Sequence, residues 1–420
     1  MLAFCVKQGG LCMQIEIKKT NSNKIYIVPV NGVETVSIAF IVPAGSTSED
    51  KEYAGCAHLL EHIVFKGTKR YDEFSLKYEL EVFGGSLNAF TTKDFTVYYA
   101  RVPYFHFEKA VDILGELVFS PLIEEEAVNL EKSVVIEEIK SYNEDHLTRV
   151  HDLFAESILK EPYSRPISGY EETVKKIDAD VLKKFHQKHY GSIKVIVVGK
   201  VTDDLLKTIA NILRNDKPVS ENNLKVNFSN PSNAYEARSN ITQVHMITGT
   251  PIEIGLEDKR YPALLVLNTL LGSGMSSLLF NTIREKLGLV YEIDTVGNFW
   301  KESSLIGIYA STSTEKFPRY VQEINTILKR ATIEKHYFEY GKKRLIGKLQ
   351  MITESVPSVF AYVLEFLISR SEPLPIERLF EKIESVEYNH VQNLWREICE
   401  NRWHWTCIIP HGEERLMKEL

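Results

Sequence analysis

The chain has 420 residues, the length of two or three domains, and 44% of them are hydrophobic, which is enough to fill ordinary cores. Its 50 Lys and Arg against 57 Asp and Glu give a formal charge of −7. That balance excludes a nucleic-acid binder with a generally basic surface and leaves open only a local basic patch. No apolar run approaches the roughly 18 residues of a membrane-spanning helix, so we predict neither a nucleic-acid nor a membrane partner.

Cysteine usage indicates a reducing compartment. The five cysteines are odd in number and form no CxxC pair, so we predict free thiols and not a disulfide framework. The segment before Met13 has no basic start, and its apolar stretch is too short for a secretory signal. We therefore expect a cytoplasmic location.

The first half of the chain predicts interspersed strands and helices. Alternating or β-rich runs predict strands at 13–20, 24–30, 33–45, 86–102 (a hairpin) and 193–201. Apolar periodicity predicts helices at 54–67, 74–83, 105–120, 123–145, 150–159, 178–190 and 203–213. Residues 214–239 are polar, rich in Asn and Ser and without a sustained period, which predicts an interdomain linker between halves at 13–213 and 240–420.

The second half repeats features of the first. EDKEY at 49–53 returns as EDKRY at 257–261, an offset of 208, and each follows a β run and precedes an apolar helix. The helix at 123–139 aligns with 333–349 at an offset of 210. Two blocks at nearly one offset favour an internal duplication into two homologous α+β halves.

The sharpest local signal is the pattern His-Leu-Leu-Glu-His at 58–62. On a helix His58 and His62 are four residues apart, so both imidazoles project from one face within reach of a single ion. Glu61 lies beside them, where a carboxylate can take a proton from water. H-x-x-E-H is the inverzincin pattern, which alone is moderately specific, since such residues also occur as packing residues of an apolar helix.

A zinc site of this kind needs a third ligand, which should be acidic and lie elsewhere in the chain. Glu138 follows His62 by 76 positions on a predicted helix, and Glu131 lies two turns earlier on the same face. Glu137 is a rival that points about 100° away from Glu138. A solvated acidic face is the alternative for all three, and we prefer it for Glu137.

The duplication supplies an internal control. His58, Glu61 and His62 correspond to Val266, Thr269 and Leu270, and Glu131 and Glu138 correspond to Gly341 and Lys348, as the two offsets place them. The helices recur while all five side chains differ. This contrast favours chemistry in the first half only.

The sequence resembles the pitrilysin/insulinase family of zinc metallopeptidases, and within it the bacterial relatives of the mitochondrial processing peptidase. The motifs are HLLEH, VVIEEI, GGSLNAFTTKDFTVYYARV and LGSGMSSLLFNTIREKLGLVYEI, and the resemblance runs from about residue 13 through nearly the whole chain. It implies His58, His62 and Glu138 as ligands of one Zn²⁺ per chain. It also implies Glu61 as the general base and Glu131 as a supporting acidic residue.

The resemblance further implies that Arg284 and Tyr291, in REKLGLVY, reach the substrate from the second half. A positive charge and a phenol are what a developing oxyanion at a peptide carbonyl requires. An exposed helix face for the Arg and a core position for the Tyr are the alternatives. The strand after Gly84-Gly85 could pair with an extended peptide, so we name Asn88, Ala89 and Phe90 as substrate-binding residues.

Together these observations predict two α+β halves, each a mostly antiparallel sheet packed with helices, that face each other around an interior chamber. The predicted function is a zinc endopeptidase acting on extended or unfolded peptides, with Glu61 as the base and without ATP, because no Walker-type motif is present. The alternative is a non-catalytic subunit or scaffold of a processing-peptidase-like complex. A homodimer is compatible with either reading.

Overall fold

In the computed structural model of the protein, which describes residues 13–20, 22–213, 224–230 and 232–420, two β-sheets organise the chain. The strands of the first sheet are β1 (Glu16–Thr20), β2 (Asn23–Pro29), β3 (Thr35–Val42), β4 (Ser86–Thr91), β5 (Thr96–Pro103) and β6 (Lys194–Gly199). The strands of the second are β7 (Ala234–Arg238), β8 (Gln243–Ile252), β9 (Glu292–Phe299), β10 (Ser304–Ser313) and β11 (His404–Pro410).

Helices accompany each sheet. Those of the first half are α1 (Cys56–Val64), α2 (Glu73–Glu81), α3 (Phe107–Phe119), α4 (Glu125–Glu144), α5 (His146–Ile158), α6 (Glu171–Val174), α7 (Ala179–His189) and α8 (Asp203–Ile212). Those of the second are α9 (Tyr261–Gly272), a π-helix (Phe280–Lys286), α10 (Phe317–Arg330), α11 (Lys335–Ile352), α12 (Val356–Ile368), α13 (Ile376–Glu384) and α14 (Tyr388–Glu400).

The two sheets share one topology. The strand order is β1-β2-β6-β3-β5-β4 in the first and β7-β11-β8-β10-β9 in the second, so the two coincide once β1 is set aside. Each sheet has one parallel pair, β2 with β6 and β7 with β11, while its other pairs are antiparallel. The prediction of two homologous, mostly antiparallel α+β halves is therefore confirmed.

The halves exchange a helix. α12 of the second half packs over β3 and β6 of the first sheet, and α5 of the first half packs over β8 and β11 of the second. Phe154 and Ile158 of α5 form a cluster with Ile247, Leu305 and Ile408. Because each sheet is covered on one face by its own helices and on the other by a borrowed one, a strand such as β6 is buried along its whole length. Neither half can bury its sheet alone.

The predicted linker is shorter than the sequence indicates. Within 214–239, residues 214–223 and 231 lie outside the described part of the chain, and 234–238 form β7. The second sheet therefore begins at Ala234 and not after residue 239. The physical reason is that β7 is stabilised by parallel pairing with β11, which lies about 170 residues further along the chain.

The structure also bears on the cysteines and on the length of the apolar helices. Of the five cysteines, Cys56, Cys399 and Cys407 are described and form no disulfide, while Cys5 and Cys12 lie outside the described residues. In the part of the chain that the structure describes, no single helix has the length and apolarity of a membrane span. Only α11 and α12 taken together have them, and a bend of 114° separates the two.

Candidate metal centre

The start of α1, the helix that carries the His-x-x-Glu-His motif, is fixed by a glycine and by a buried carboxylate. Gly55 precedes α1 with φ +95°, and a β-carbon at this position would lie 2.5 Å from the carbonyl oxygen of Ser168. The buried carboxylate of Glu49 accepts hydrogen bonds from the N–H groups of Gly55 (2.9 Å) and Ala57 (2.7 Å). These bonds satisfy orphan donors of the first helical turn immediately before His58.

Removing this cap should destabilise the fold measurably. Glu49→Ala leaves two buried N–H groups without an acceptor, so we expect unfolding in urea to show a loss of about 2–4 kcal/mol. Glu52→Ala is the matched control, because Glu52 is exposed and has only a 3.8 Å ion pair with Lys176. A change at Glu49 no larger than at Glu52 would contradict the capping role.

Three side chains from two helices converge on one point. Glu138 of α4 places its Oε2 atom 3.9 Å from Nε2 of His58 and 3.7 Å from Nε2 of His62. The ligand atoms of all three lie within 4.8 Å of one another, and no other such group of His, Cys, Asp or Glu occurs among the described residues. Glu137, the rival third ligand, is 72% exposed and pairs with Lys140 at 2.7 Å.

This donor set fits a Zn²⁺ ion. Tetrahedral ligation at about 2.0–2.1 Å separates ligand atoms by about 3.4 Å, close to the distances from Glu138 to the two histidines. Burial, and then the neighbouring His62, lower the pKa of His58 to about 4, so its imidazole is neutral at pH 7, as a metal ligand must be. Two imidazoles and a carboxylate leave a fourth position open.

Glu131 supports the cluster without joining it. Its Oε2 atom lies 3.2 Å from Nδ1 of His62, and its Oε1 atom lies 2.6 Å from Nζ of Lys66. Since a carboxylate only accepts, His62 carries its proton on Nδ1 and directs Nε2 towards Glu138. Glu131 is only 5% exposed, and Lys66 balances its charge there.

Glu61 is held separately from the three ligand candidates. Its Oε2 atom accepts a hydrogen bond of 2.6 Å from the hydroxyl of Thr91, at the end of β4. Burial raises the pKa of Glu61 above the ordinary carboxyl value, while the bond from Thr91 acts in the opposite direction. A carboxylate beside the cluster, fixed by one oxygen and with the other free, can accept a proton from water.

Three contributors to this site were not predicted from the sequence: Glu49, Thr91 and Tyr142. The phenol of Tyr142 donates to Oε1 of Glu138, which leaves Oε2 facing the histidines. This bond raises the pKa of Tyr142 to about 12, so the phenol stays protonated. Tyr142 lies one turn after Glu138, a spacing that could have indicated it. Glu49 and Thr91 come from outside both helices, so no helical spacing relates them to the histidines.

In the second half, the residues at the corresponding positions pack against each other and offer no metal ligands. Gly341 and Leu270, at the positions of Glu131 and His62, are in close contact, and a β-carbon on Gly341 would lie 2.6 Å from that of Leu270. Lys348, in place of Glu138, donates to the hydroxyl of Ser273 at 2.8 Å. α9 and α11 therefore pack directly against each other at the positions where α1 and α4 hold His62 and Glu131.

Arg284 and Tyr291 lie close to each other and line one cavity. The guanidinium carbon of Arg284 lies 4.4 Å from the ring centre of Phe280 and 6.0 Å from that of Tyr291, which is 67% exposed. Leu147 and His151 of α5 also line this cavity, which has a volume of about 590 Å³. None of the residues described above for the metal cluster lines it.

The candidate substrate strand is the edge of its sheet. β4 pairs with β5 on one side only, and the side chain of Asn88 accepts a hydrogen bond of 2.8 Å from the N–H of Ala89. Ala89 packs towards the core that contains α1, whereas Phe90 packs towards the other face, with its ring 6.2 Å from that of Tyr99. Of the named residues, Ala89 therefore lies on the face of β4 that belongs to the core with α1, and Phe90 lies on the opposite face.

Comparisons with known proteins agree with this architecture. The model of the insulinase family (peptidase family M16) matches residues 27–171, and the model of the M16 inactive domain matches residues 176–345. The first match includes both α1, with its His-x-x-Glu-His motif, and α4, which carries Glu138. The chain belongs to the M16 peptidase family.

Individual relatives extend the likeness over most of the chain. An uncharacterized zinc protease of Rickettsia bellii is 31% identical over 77% of this chain and 80% of its own length. The uncharacterized zinc protease YmxG of Bacillus subtilis is 29% identical over 94% of this chain and 98% of its own. The crystal structure of a protease from Helicobacter pylori superposes with a TM-score of 0.85 over 95% of this chain and 100% of that one, at 18% identity, a likeness of fold.

Proposed function

We propose that this protein is a zinc-dependent endopeptidase that hydrolyses peptide bonds in extended or unfolded peptides without ATP. The observation that carries the proposal is the convergence of His58, His62 and Glu138 on one point, with the separately held carboxylate of Glu61 beside it. A structural zinc site is normally closed by four protein ligands, whereas this one has three and a free base. Family membership supports the same reaction.

The roles of the residues follow from their contacts. His58, His62 and Glu138 would hold a Zn²⁺ ion, which would supply Lewis-acid chemistry for the scissile carbonyl and for water. Glu61 accepts the proton of the attacking water and passes it to the leaving amine, while Thr91 fixes the orientation of its carboxylate. Glu131 and Tyr142 hold His62 and Glu138 in place. The free edge of β4 aligns an extended peptide by strand addition.

Removal of the metal tests this proposal directly. Protein purified without chelator should contain about one zinc per chain and cleave an unstructured peptide library, because three protein ligands suffice for a catalytic site. Treatment with 1,10-phenanthroline should abolish cleavage, and added Zn²⁺ should restore it. Cleavage that continues unchanged in the metal-free protein would refute the proposal.

A non-catalytic subunit or scaffold is the second candidate function. The match of residues 176–345 to an inactive domain supports it. The complete cluster with Glu61 supports catalysis instead, since a scaffold has no need for a free base. Zinc-loaded protein that leaves every peptide of the library intact would favour the scaffold.

We further propose that two copies of the chain associate, so that Arg284 and Tyr291 of one copy act at the metal cluster of the other. Co-expression of Glu61→Gln with the double variant Arg284→Ala/Tyr291→Phe tests this. Each parent should be impaired, yet mixed dimers contain one complete site, so activity should return to about a quarter of wild type. A mixture no more active than its parents, or a monomeric mass in solution, would exclude action between copies.

A cytoplasmic location belongs to the same proposal. The described cysteines Cys56, Cys399 and Cys407 are free thiols, as expected in a reducing compartment. Fractionation of cells that express the protein checks this assignment.

A further inference from the structure

The turn at residues 92–94, which follows β4, adjoins the residue that holds Glu61. β4 ends at Thr91, whose hydroxyl donates to the carboxylate of Glu61 at 2.6 Å. Within the turn, the carbonyl oxygen of Lys93 accepts a hydrogen bond of 2.8 Å from the N–H of Thr47. Because Thr91 comes directly before the turn, the position of its hydroxyl depends on how the turn is held.

The second half reaches this turn through Arg370, which lies two residues after the end of α12. Its Nη2 atom donates to Oδ1 of Asp94 at 2.5 Å, and its Nη1 atom donates to the carbonyl oxygen of Leu224 at 2.9 Å. The same carboxylate oxygen accepts from the hydroxyls of Thr47 (3.0 Å) and Tyr163 (2.9 Å). The side chain of Asp94 is 5% exposed and that of Arg370 is 15% exposed, so this ion pair lies largely away from water.

The backbone of Arg370 adopts a conformation that L-residues rarely take. Its φ is +60°, and among the described residues other than glycine only Ala331 also has a positive φ. The N–H of Arg370 donates to the carbonyl oxygen of Leu367 (3.2 Å), and the N–H of Ser371 donates to that of Phe366 (2.9 Å), which forms a Schellman cap on α12. Glycine is favoured at this position of the cap because it has no β-carbon. The contacts of the side chain therefore explain the arginine, and the backbone does not.

The buried carboxylate of Asp94 depends on this guanidinium. A buried charge that loses its partner is strongly destabilised and tends to move towards water. Such a movement would displace the turn at 92–94 and, with it, the hydroxyl of Thr91. A displacement of about 1 Å at a catalytic group is enough to lower turnover about 10²-fold.

We propose that Arg370 is a positioning residue for the general base. It ties the turn at 92–94 to the second half through Asp94, and the turn in this place keeps the hydroxyl of Thr91 on the carboxylate of Glu61. The inference rests on the proposed peptidase function, in which Glu61 accepts the proton of water. It gives the second half a part in catalysis that is exerted from within the same chain.

Three variants of the full-length chain at position 370 test this role. Arg370→Met should lower kcat about tenfold or more at wild-type zinc content, and KM should change less than about threefold because β4 keeps its pairing with β5. Arg370→Lys keeps a cation within reach of Asp94 and should recover much of the loss. Arg370→Gly lacks the guanidinium but relieves the backbone, so it should turn over as slowly as Arg370→Met while resisting urea better. A purely structural role would instead make kcat follow resistance to urea across the three variants.

Ala331→Gly is the matched control for the backbone, since Ala331 also caps a helix of the second half with a positive φ. It should resist urea better than wild type and keep the wild-type kcat. Amide hydrogen exchange of the segment 86–96 adds a measurement that needs no activity. Exchange there should be faster in Arg370→Met than in wild type and unchanged in Ala331→Gly.

The proposal is overturned if Arg370→Gly has the kcat of wild type, or if the segment 86–96 exchanges equally fast in Arg370→Met and wild type. A wild type that cleaves no peptide would refute the proposed function instead. The exchange measurement then decides by itself whether Arg370 holds the turn, which keeps the two failures distinct.

Discussion

Glu61→Gln is expected to lose peptidase activity by more than about 10⁴-fold while its zinc content stays at that of wild type. The loss exceeds the roughly 10²–10⁴-fold typical of removing a general base, because the carboxylate also positions the attacking water. Gln keeps the shape of the side chain and an oxygen that can accept from Thr91, so the local structure should persist. Single-turnover cleavage of a quenched peptide and metal analysis of the same sample measure both quantities.

The control for this variant is Glu137→Gln. Glu137 lies on α4 one residue before Glu138 but is exposed, and among the described residues it pairs only with Lys140. Its loss should therefore leave cleavage near the wild-type rate. If Glu61→Gln lost its zinc together with its activity, Glu61 would be a ligand and the assignment of the base would be wrong.

His62→Ala is expected to reduce zinc content about tenfold or more below one per chain and to remove activity with it. The substitution takes away a nitrogen ligand, and it also deprives Glu131 of the imidazole that it orients. The fold should persist, because Glu131 keeps its 2.6 Å ion pair with Lys66 and α1 keeps its buried apolar face. Metal analysis of protein purified without chelator, with circular dichroism as the check on folding, gives the result.

His336→Ala serves as the matched control for that experiment. His336 is 64% exposed at the start of α11 and lies outside the cluster, so its zinc content should equal that of wild type. Unchanged zinc content in His62→Ala would contradict the metal site itself, since no alternative cluster exists among the described residues.

The part of the site that could be predicted from the sequence is the part that a single helix determines. His58 and His62 share a face because an α-helix turns once in 3.6 residues, and α1 places them with ring centres 4.8 Å apart. The same period relates Glu131 to Glu138, but it could not choose the third ligand from Glu131, Glu137 and Glu138. The distance between α1 and α4 makes that choice, and periodicity carries no information about distances between helices.

The features of the fold that could be predicted are likewise those with local signals in the sequence. Apolar periodicity, the turn residues and the repeat at offsets of 208 and 210 were sufficient to indicate two α+β halves, because these signals are local or compare the chain with itself. β7 escaped prediction because its stability depends on β11, a strand distant in the chain. The exchange of α5 and α12 escaped it because an apolar helix face does not specify which sheet will cover it.

The sequence by itself therefore determined the class of fold, the duplication and the pair of histidines with a neighbouring glutamate. Only the tertiary structure decided that Oε2 of Glu138 faces both histidines, that Thr91 holds Glu61, and that Glu49 caps α1. Each of these contacts joins residues from separate elements. Their geometry depends on how helices and sheets pack across the molecule, and packing of that kind leaves no period or spacing in the chain.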